Sequence, residues 1–170
     1  MKNQTRKEFL IRSGVGVSGL ILLPGIWMSQ SGSKQNQDKG PPLEISLVKE
    51  FVGAAHKDMV KVKMMLETNP DLLNSVNNLG GWDWEDAVGA AGHVGYPELA
   101  NYLLEKGARM TICVAAMLGK AELVKSFIRN FPYMKDAVGP HKISLLRHAR
   151  AGGENSLEVV EYLRSLGLKE

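Results

Sequence analysis

The sequence predicts an all-α fold, a short solenoid of about four helix–turn–helix repeats. Residues 98–108 (ELANYLLEKGA) combine apolar positions at helical spacing with a closing Gly-Ala, and a related pattern returns across residues 115–128. Short alanine-rich helices accompany these segments, and their small side chains would let stacked helices approach closely. No run of alternating β-branched residues is long enough to predict a sheet.

The first two repeats are each predicted to contain a short inner helix and a longer outer helix. In the first repeat, the inner helix lies near residues 51–55, and a break at Lys57-Asp58 precedes an outer helix over residues 59–67. In the second repeat, an inner helix over residues 87–92 is separated from its outer helix by the helix-closing Gly95.

The last two repeats and the connecting segments are less regular. Gly119 separates the helices of the third repeat, and Gly152-Gly153 separates those of the fourth, where Ser156 is predicted to cap the final helix. Residues 74–86, between the first two repeats, are predicted to form an enlarged loop. Residues 109–111 leave room only for a tight turn between the second and third repeats.

Each helix pair leaves one apolar face uncovered, and stacking the pairs buries these faces in a continuous core. The inner helices contribute alanines to this core, and the outer helices contribute larger apolar side chains. The predicted outer-helix core residues are Val62, Leu66, Leu99, Leu103, Leu123, Phe127, Val160 and Leu163.

This arrangement resembles the ankyrin repeat over roughly residues 47–168. The Thr-Pro-Leu-His signature of that family is absent, and Asp86-Ala87-Val88-Gly89 stands in its place in the second repeat. The chain therefore looks like a divergent bacterial ankyrin protein. The resemblance implies a module that binds another protein and does not catalyse a reaction.

Residues 1–31 have the composition of an export signal. Basic residues begin this segment, and the uncharged residues 14–28 are fewer than the roughly 20 of a membrane span. Residues 5–10 (TRKEFL) resemble the twin-arginine export motif, with Lys7 in place of the second arginine. We expect an exported protein in the periplasm or cell envelope. A signal that is retained as a membrane anchor, without cleavage after Ser31, is the alternative.

The rest of the chain divides into a linker and the repeat domain. Residues 32–42 are polar and contain prolines, as is typical of a flexible linker, and residues 43–170 form the predicted ankyrin repeat domain. The net charge of +3 comes from the basic N-terminal segment, and the neutral remainder argues against a nucleic-acid partner. The single cysteine, Cys113, cannot form an internal disulfide, and we expect it to be buried in a helix.

Residues 80–86 (GGWDWED) are the richest feature outside the repeats. Indole rings offer large rigid contact areas and are common in binding hot spots, and carboxylates beside them would suit a cationic group. These residues therefore predict a binding loop. In the structural alternative, Trp84 packs beneath the second repeat while Asp83 or Asp86 caps the inner helix.

His56 and His93 occupy equivalent places after the inner helices, so a stacked array would bring them together on one face. Two histidines can share a metal ion or respond to pH. No carboxylate or thiol is evidently placed to complete a zinc site, and histidines bonded to loop carbonyls are the structural alternative. His141 lies in a Gly-Pro-His turn and His148 lies beside Arg147, where we predict a basic surface patch.

The sequence contains no phosphate-binding glycine loop, nucleophile elbow or HExxH metal motif, so we expect no catalytic residues, no cofactor and no fixed metal. It predicts an exported, monomeric module that binds another protein. The alternative is a small-molecule or metal-binding module that uses His56 and His93. The residues predicted to contact the partner are Trp82, Asp83, Trp84, Glu85, His56, His93 and Arg147.

Overall fold

Helices make up most of the structure. The computed structural model describes residues 40–169, so the predicted export signal (residues 1–31) and most of the predicted linker (residues 32–42) lie outside the described residues. None of the described helices is both long and apolar enough to cross a membrane. The helices are α1 Ile45–Ala54, α2 Met59–Thr68, α3 Ala87–Val94, α4 Pro97–Glu105, α5 Ile112–Met117, α6 Ala121–Asn130, α7 Leu145–Ala151 and α8 Leu157–Ser165.

The helices contact each other in consecutive pairs. Helix α1 packs against α2, α3 against α4, α5 against α6, and α7 against α8. The first helices of the pairs also contact one another, since α3 touches α1, α5 and α7. The all-α prediction is therefore confirmed at the level of a mostly helical fold.

Two glycine turns fix the path of the chain between helices. Gly95 after α3 and Gly119 after α5 have φ angles of 73° and 67°, as expected for helix-closing glycines. A β-carbon on Gly95 would overlap the carbonyl oxygen of Ala151, and one on Gly119 would overlap that of Asn155. Both turns therefore require glycine for space as well as for backbone angle.

Polar side chains fix the start of α3 and the connection before α8. Asp86 accepts a hydrogen bond of 2.7 Å from the backbone N–H of Gly89, which is the cap that the structural alternative predicts. Ser156 precedes α8 as predicted, but its hydroxyl does not cap that helix. It donates instead to the carbonyl oxygens of Ala149 and Gly153, which ties the connection to α7.

Two clusters of buried side chains form the core, one centred on α1–α4 and the other on α5–α8. Cys113 is buried, as predicted. In α6 the predicted core face is wrong by one residue, because Leu123 is exposed while Val124 and Ile128 are buried. A helix that begins at Ala121 turns these two positions inward, and the repeat template is aligned one residue too early there.

A β-hairpin stands where the sequence predicts only an enlarged loop over residues 74–86. Strand β1 Val76–Gly80 pairs antiparallel with β2 Asp83–Asp86, and Asn77 lies opposite Glu85. The expectation that no sheet forms is therefore wrong at this place. The strands of the hairpin lack alternating apolar residues because most of their side chains face solvent, so the pattern that usually reveals a strand is missing.

Candidate metal centre

Three imidazoles and one carboxylate from separate segments of the chain meet at one point. His56 follows α1, Glu85 lies on β2, His93 lies in the last turn of α3, and His141 lies in the short helical turn Pro140–Lys142. One nitrogen or oxygen atom of each side chain lies within 4.8 Å of the corresponding atom of every other. The helix pairs and the hairpin together create this cluster.

The carboxylate oxygen Oε1 of Glu85 is the centre of the cluster. It lies 2.9 Å from Nε2 of His93, 3.2 Å from Nε2 of His141 and 3.3 Å from Nε2 of His56. The Nε2 atoms of His56 and His93 are 3.2 Å apart. All three histidines therefore present the same ring nitrogen to the same point.

These separations are close to those of tetrahedral coordination. An ion bonded to each donor at about 2.0–2.1 Å places neighbouring donors about 3.3–3.4 Å apart. Four of the six donor pairs are between 2.9 and 3.3 Å apart, and every pair lies within 4.8 Å, so modest shifts of the side chains would admit such an ion. The four side chains can thus serve as a His₃Glu ligand set.

The orientation of the His56 ring fixes which of its nitrogens carries the proton. Nδ1 lies 3.0 Å from the carbonyl oxygen of Val52, which can only accept, so Nδ1 is the donor. In the neutral imidazole, Nε2 then directs a lone pair toward Glu85 and His93. This lone pair and those of the Glu85 carboxylate repel each other unless a proton or a cation lies between them. Metal-bound histidines commonly have their second N–H held by a carbonyl in this way.

Asp83, the first residue of strand β2, holds His141 in place. Its Oδ1 accepts a hydrogen bond of 2.9 Å from the backbone N–H of His141, and its Oδ2 lies 4.0 Å from Nδ1 of the same residue. His141 needs such support because its φ angle of 58° is uncommon for a residue with a side chain. Asp83 therefore positions a donor of the cluster.

The electrostatic environment keeps Glu85 ionised. Burial by itself would raise the pKa of its carboxyl group, but the hydrogen bond with His93 and the electrostatic attraction of His56, His141 and His93 outweigh burial and lower the pKa. An ionised carboxylate is the form that ligates metals. The carboxylate also supplies the negative charge that favours a divalent cation, which the imidazole nitrogens do not supply.

The cluster is open to solvent on one side. The side chain of Glu85 is only 4% exposed and that of His93 is 11% exposed, so these two form its floor. The side chain of His56 is 29% exposed and that of His141 is 44% exposed. An ion from solution can therefore reach the donors without unfolding the protein.

The residues predicted to contact a partner fall into separate places. His56 and His93 lie together as predicted, and the carboxylate of Glu85 lies beside both, although the sequence gives no sign of a carboxylate placed there. Glu85 is buried and faces these histidines, so it cannot lie on a partner surface. Trp82 and Trp84 are exposed in the hairpin, and Trp84 does not pack beneath the second repeat.

The predicted basic patch is only partly formed. Arg147 is exposed on α7 and lines a groove with His93, Arg150 and Lys169. His148 is fully buried, so its predicted place on the surface is wrong. The reason is the helical register, which turns position 148 toward the core with Leu145.

His141 is the member of the cluster that the sequence does not reveal. Its turn is recognisable from Gly139-Pro140, but no spacing rule links position 141 to His56 or His93. Only the packing of the turn against strand β2 brings the third imidazole into place. Comparisons with protein-family models, with curated proteins and with solved structures found no match.

Proposed function

We propose that this protein binds one divalent transition-metal ion through His56, Glu85, His93 and His141. The observation that carries the proposal is the convergence of three imidazole Nε2 atoms on one buried carboxylate oxygen. Imidazole donors suit zinc, copper, nickel and iron, whereas magnesium and calcium prefer oxygen donors. Zinc is the first candidate, because three imidazole nitrogens and one carboxylate match the donor types and the number of donors that zinc prefers.

The proposed role is binding and not catalysis. Four protein donors complete a tetrahedral coordination sphere, whereas catalytic zinc keeps a position open for water or substrate. The donors come from one chain, so the site is complete in a monomer. This proposal develops the metal-binding alternative that His56 and His93 suggest in the sequence, with Glu85 and His141 added.

Calorimetric titration of the full-length protein with Zn²⁺ tests the proposal, and the matched variants are His141→Ala and Lys142→Ala. Both residues lie in the same exposed turn and both have a positive φ, so the two changes disturb the backbone alike. We expect His141→Ala to weaken binding at least tenfold because one ligand is lost, and Lys142→Ala to leave it unchanged. No heat with the wild type at micromolar zinc, or equal affinity in both variants, would contradict the proposal.

Binding of another protein through the hairpin is the second candidate function. The observation that favours it is the exposure of two indole rings in one turn, 94% for Trp82 and 59% for Trp84. Large exposed apolar surfaces of this kind mark interaction sites. Trp82 also has a φ angle of 65°, so the tip of the hairpin holds its ring away from the core.

An affinity pull-down from the envelope fraction, with Trp82→Ala and Val60→Ala compared with wild type, tests this second candidate. Val60 is 79% exposed on α2, so its truncation removes exposed apolar surface without touching the hairpin. We expect Trp82→Ala to lose the partner and Val60→Ala to keep it, with the unfolding midpoint unchanged in both. Retention of the partner by Trp82→Ala would argue against the hairpin as the contact surface.

We also propose that the helix pairs form an ankyrin-type solenoid and that the protein is exported. The contacts of α3 with α1, α5 and α7 and the left-handed Gly95 and Gly119 turns support a stacked array. Export rests on the basic and apolar pattern of residues 1–31. Mass spectrometry of the envelope protein would find a chain beginning near residue 32 if the signal is cleaved, and the intact chain if it is retained.

A further inference from the structure

We propose that a second site, a pocket beside the hairpin, binds a small neutral apolar molecule that carries one hydroxyl or N–H group, which donates a hydrogen bond to Nε2 of His148. The pocket has a volume of about 600 Å³ and lies between the hairpin, α5, α6 and the segment of residues 134–140. This volume is in the range of small-molecule sites. The proposal does not rest on the metal centre.

The buried imidazole of His148 is the observation that requires a partner. Its side chain is fully buried, and Nδ1 lies 3.0 Å from the carbonyl oxygen of Ser144, so Nδ1 carries the proton. Nε2 is then an acceptor, and within the described residues it has no hydrogen-bond partner. Leaving a buried acceptor unpaired is costly, and nearly all such groups in proteins are paired.

The protonation state of His148 defines what it can bind. Burial lowers the pKa of its imidazole, and the charges of His93 and Arg147 lower it further, although the hydrogen bond with the Ser144 carbonyl opposes them. The ring is therefore neutral at physiological pH, and its free nitrogen accepts. A hydroxyl or N–H group of a ligand matches it, whereas a carboxylate does not.

Gly139 packs closely against the ring edge that carries this nitrogen. Gly139 and His148 both line the pocket, and a β-carbon on Gly139 would lie 2.7 Å from Nε2 and 2.6 Å from Cε1. Because that distance is too short for a carbon atom, any larger residue at position 139 would push the ring away. Nε2 itself has almost no exposed surface, so a ligand group reaches it through a small displacement of the Gly139 segment.

The walls of the pocket favour a neutral apolar ligand. Ile112, Phe127, Met134 and Ala137 supply apolar surface. The thiol of Cys113 is uncharged, since burial raises its pKa to about 11.

Two carboxylates, Asp83 and Asp86, and one amine, Lys142, complete the charged lining of the pocket. Asp83 is engaged with the backbone of His141, and Asp86 caps α3. The carboxylates oppose an anionic ligand, and the aliphatic and aromatic surface opposes a strongly hydrated one. A phenol or an indole has the required combination of an apolar body and one donor.

The test compares two probes of nearly the same shape, p-cresol and p-xylene, by calorimetry on the full-length protein. Wild type should bind p-cresol about fivefold more tightly, which is the effect of one net hydrogen bond. His148→Phe keeps a ring but removes the acceptor, so it should bind both probes alike. Val138→Trp, which adds bulk at an exposed position on the pocket wall, should weaken both.

A second measurement keeps the test decisive if His148→Phe does not fold. Nitrogen-15 labelling of histidine reports on each ring nitrogen by NMR, and p-cresol should shift the Nε2 resonance of His148 in the wild type while p-xylene should not. Equal affinity for the two probes, absence of binding, or an Nε2 resonance that p-cresol leaves unchanged would each overturn the proposal. Since none of the four metal donors lines the pocket, loss of zinc binding in His141→Ala leaves this result unaffected.

Discussion

At the scale of single residues, Glu85 accounts for most of the chemistry of the cluster. It is buried under three imidazoles, and its neighbours lower its pKa in spite of the cost of burial. A carboxylate held ionised in a protein interior needs compensating positive charge, either protons on the histidines or a metal ion. The protein therefore pairs the group that is most costly to bury with the groups that can offset its charge.

The acid stability of the metal-free protein should depend on Glu85. Because folding lowers the pKa of this group, its ionised form stabilises the folded state above the unfolded-state value of 4.5, and this contribution is lost as the pH falls through the lower folded-state pKa. We expect urea midpoints of the wild type to fall more steeply than those of Glu85→Gln between about pH 5 and pH 3. Parallel pH profiles for the two proteins would contradict this prediction.

The residues of the cluster differ in how far the sequence could predict them. His56 and His93 follow equivalent helices of a repeated pattern, so their proximity could be predicted from spacing alone. Glu85 was identifiable as a candidate binding residue, but its inward direction depends on a strand that has no apolar alternation. His141 could not be predicted, because its position depends on a long-range contact between a turn and the hairpin.

At the scale of secondary-structure elements, local chemistry explains most helix ends but not the hairpin. Gly95 and Gly119 close helices where the sequence places them, and Asp58 begins α2 with a side-chain bond to the N–H of Lys61. The hairpin forms through backbone pairing and a turn of residues with positive φ, with little side-chain burial. Sequence patterns detect a strand by its single apolar face, and the strands of this hairpin have no such face.

The Gly119 turn should be intolerant of any side chain. Gly119→Ala places a methyl group onto the carbonyl of Asn155 and forces a residue with a β-carbon to keep a φ of 67°, so we expect a loss of about 2–4 kcal/mol in the free energy of unfolding. Urea denaturation at neutral pH measures the change.

Gly53→Ala is the matched control for this substitution. Gly53 lies inside α1, and its β-carbon would meet no atom within 4 Å. Because alanine favours the helix, we expect this variant to gain about 0.5–1 kcal/mol. A Gly119→Ala protein as stable as Gly53→Ala would show that the close contact between Gly119 and the carbonyl of Asn155 is not maintained in solution.

At the scale of the whole molecule, the proposed metal ion would link segments that are distant in the chain. The donors come from the end of α1, the hairpin, the end of α3 and the turn before α7. The ion would therefore join the first two helix pairs to the turn that precedes the fourth pair. In the unfolded chain these donors are far apart, and a ligand that binds only the folded state stabilises it by mass action. Folding and metal binding should therefore be coupled.

Zinc should raise the stability of the full-length protein, and this stabilisation should require the four side chains of the cluster. At a free concentration one hundredfold above its Kd, an ion that binds one folded-state site adds about 2.7 kcal/mol to the free energy of unfolding. Thermal unfolding with and without zinc measures this gain, and a chelator should reverse it. His141→Ala should lose the shift while Lys142→Ala keeps it, because only the first variant removes a donor. A shift that persists in His141→Ala would mean that zinc binds elsewhere on the protein, and the four convergent side chains would then be a hydrogen-bonded network without an ion.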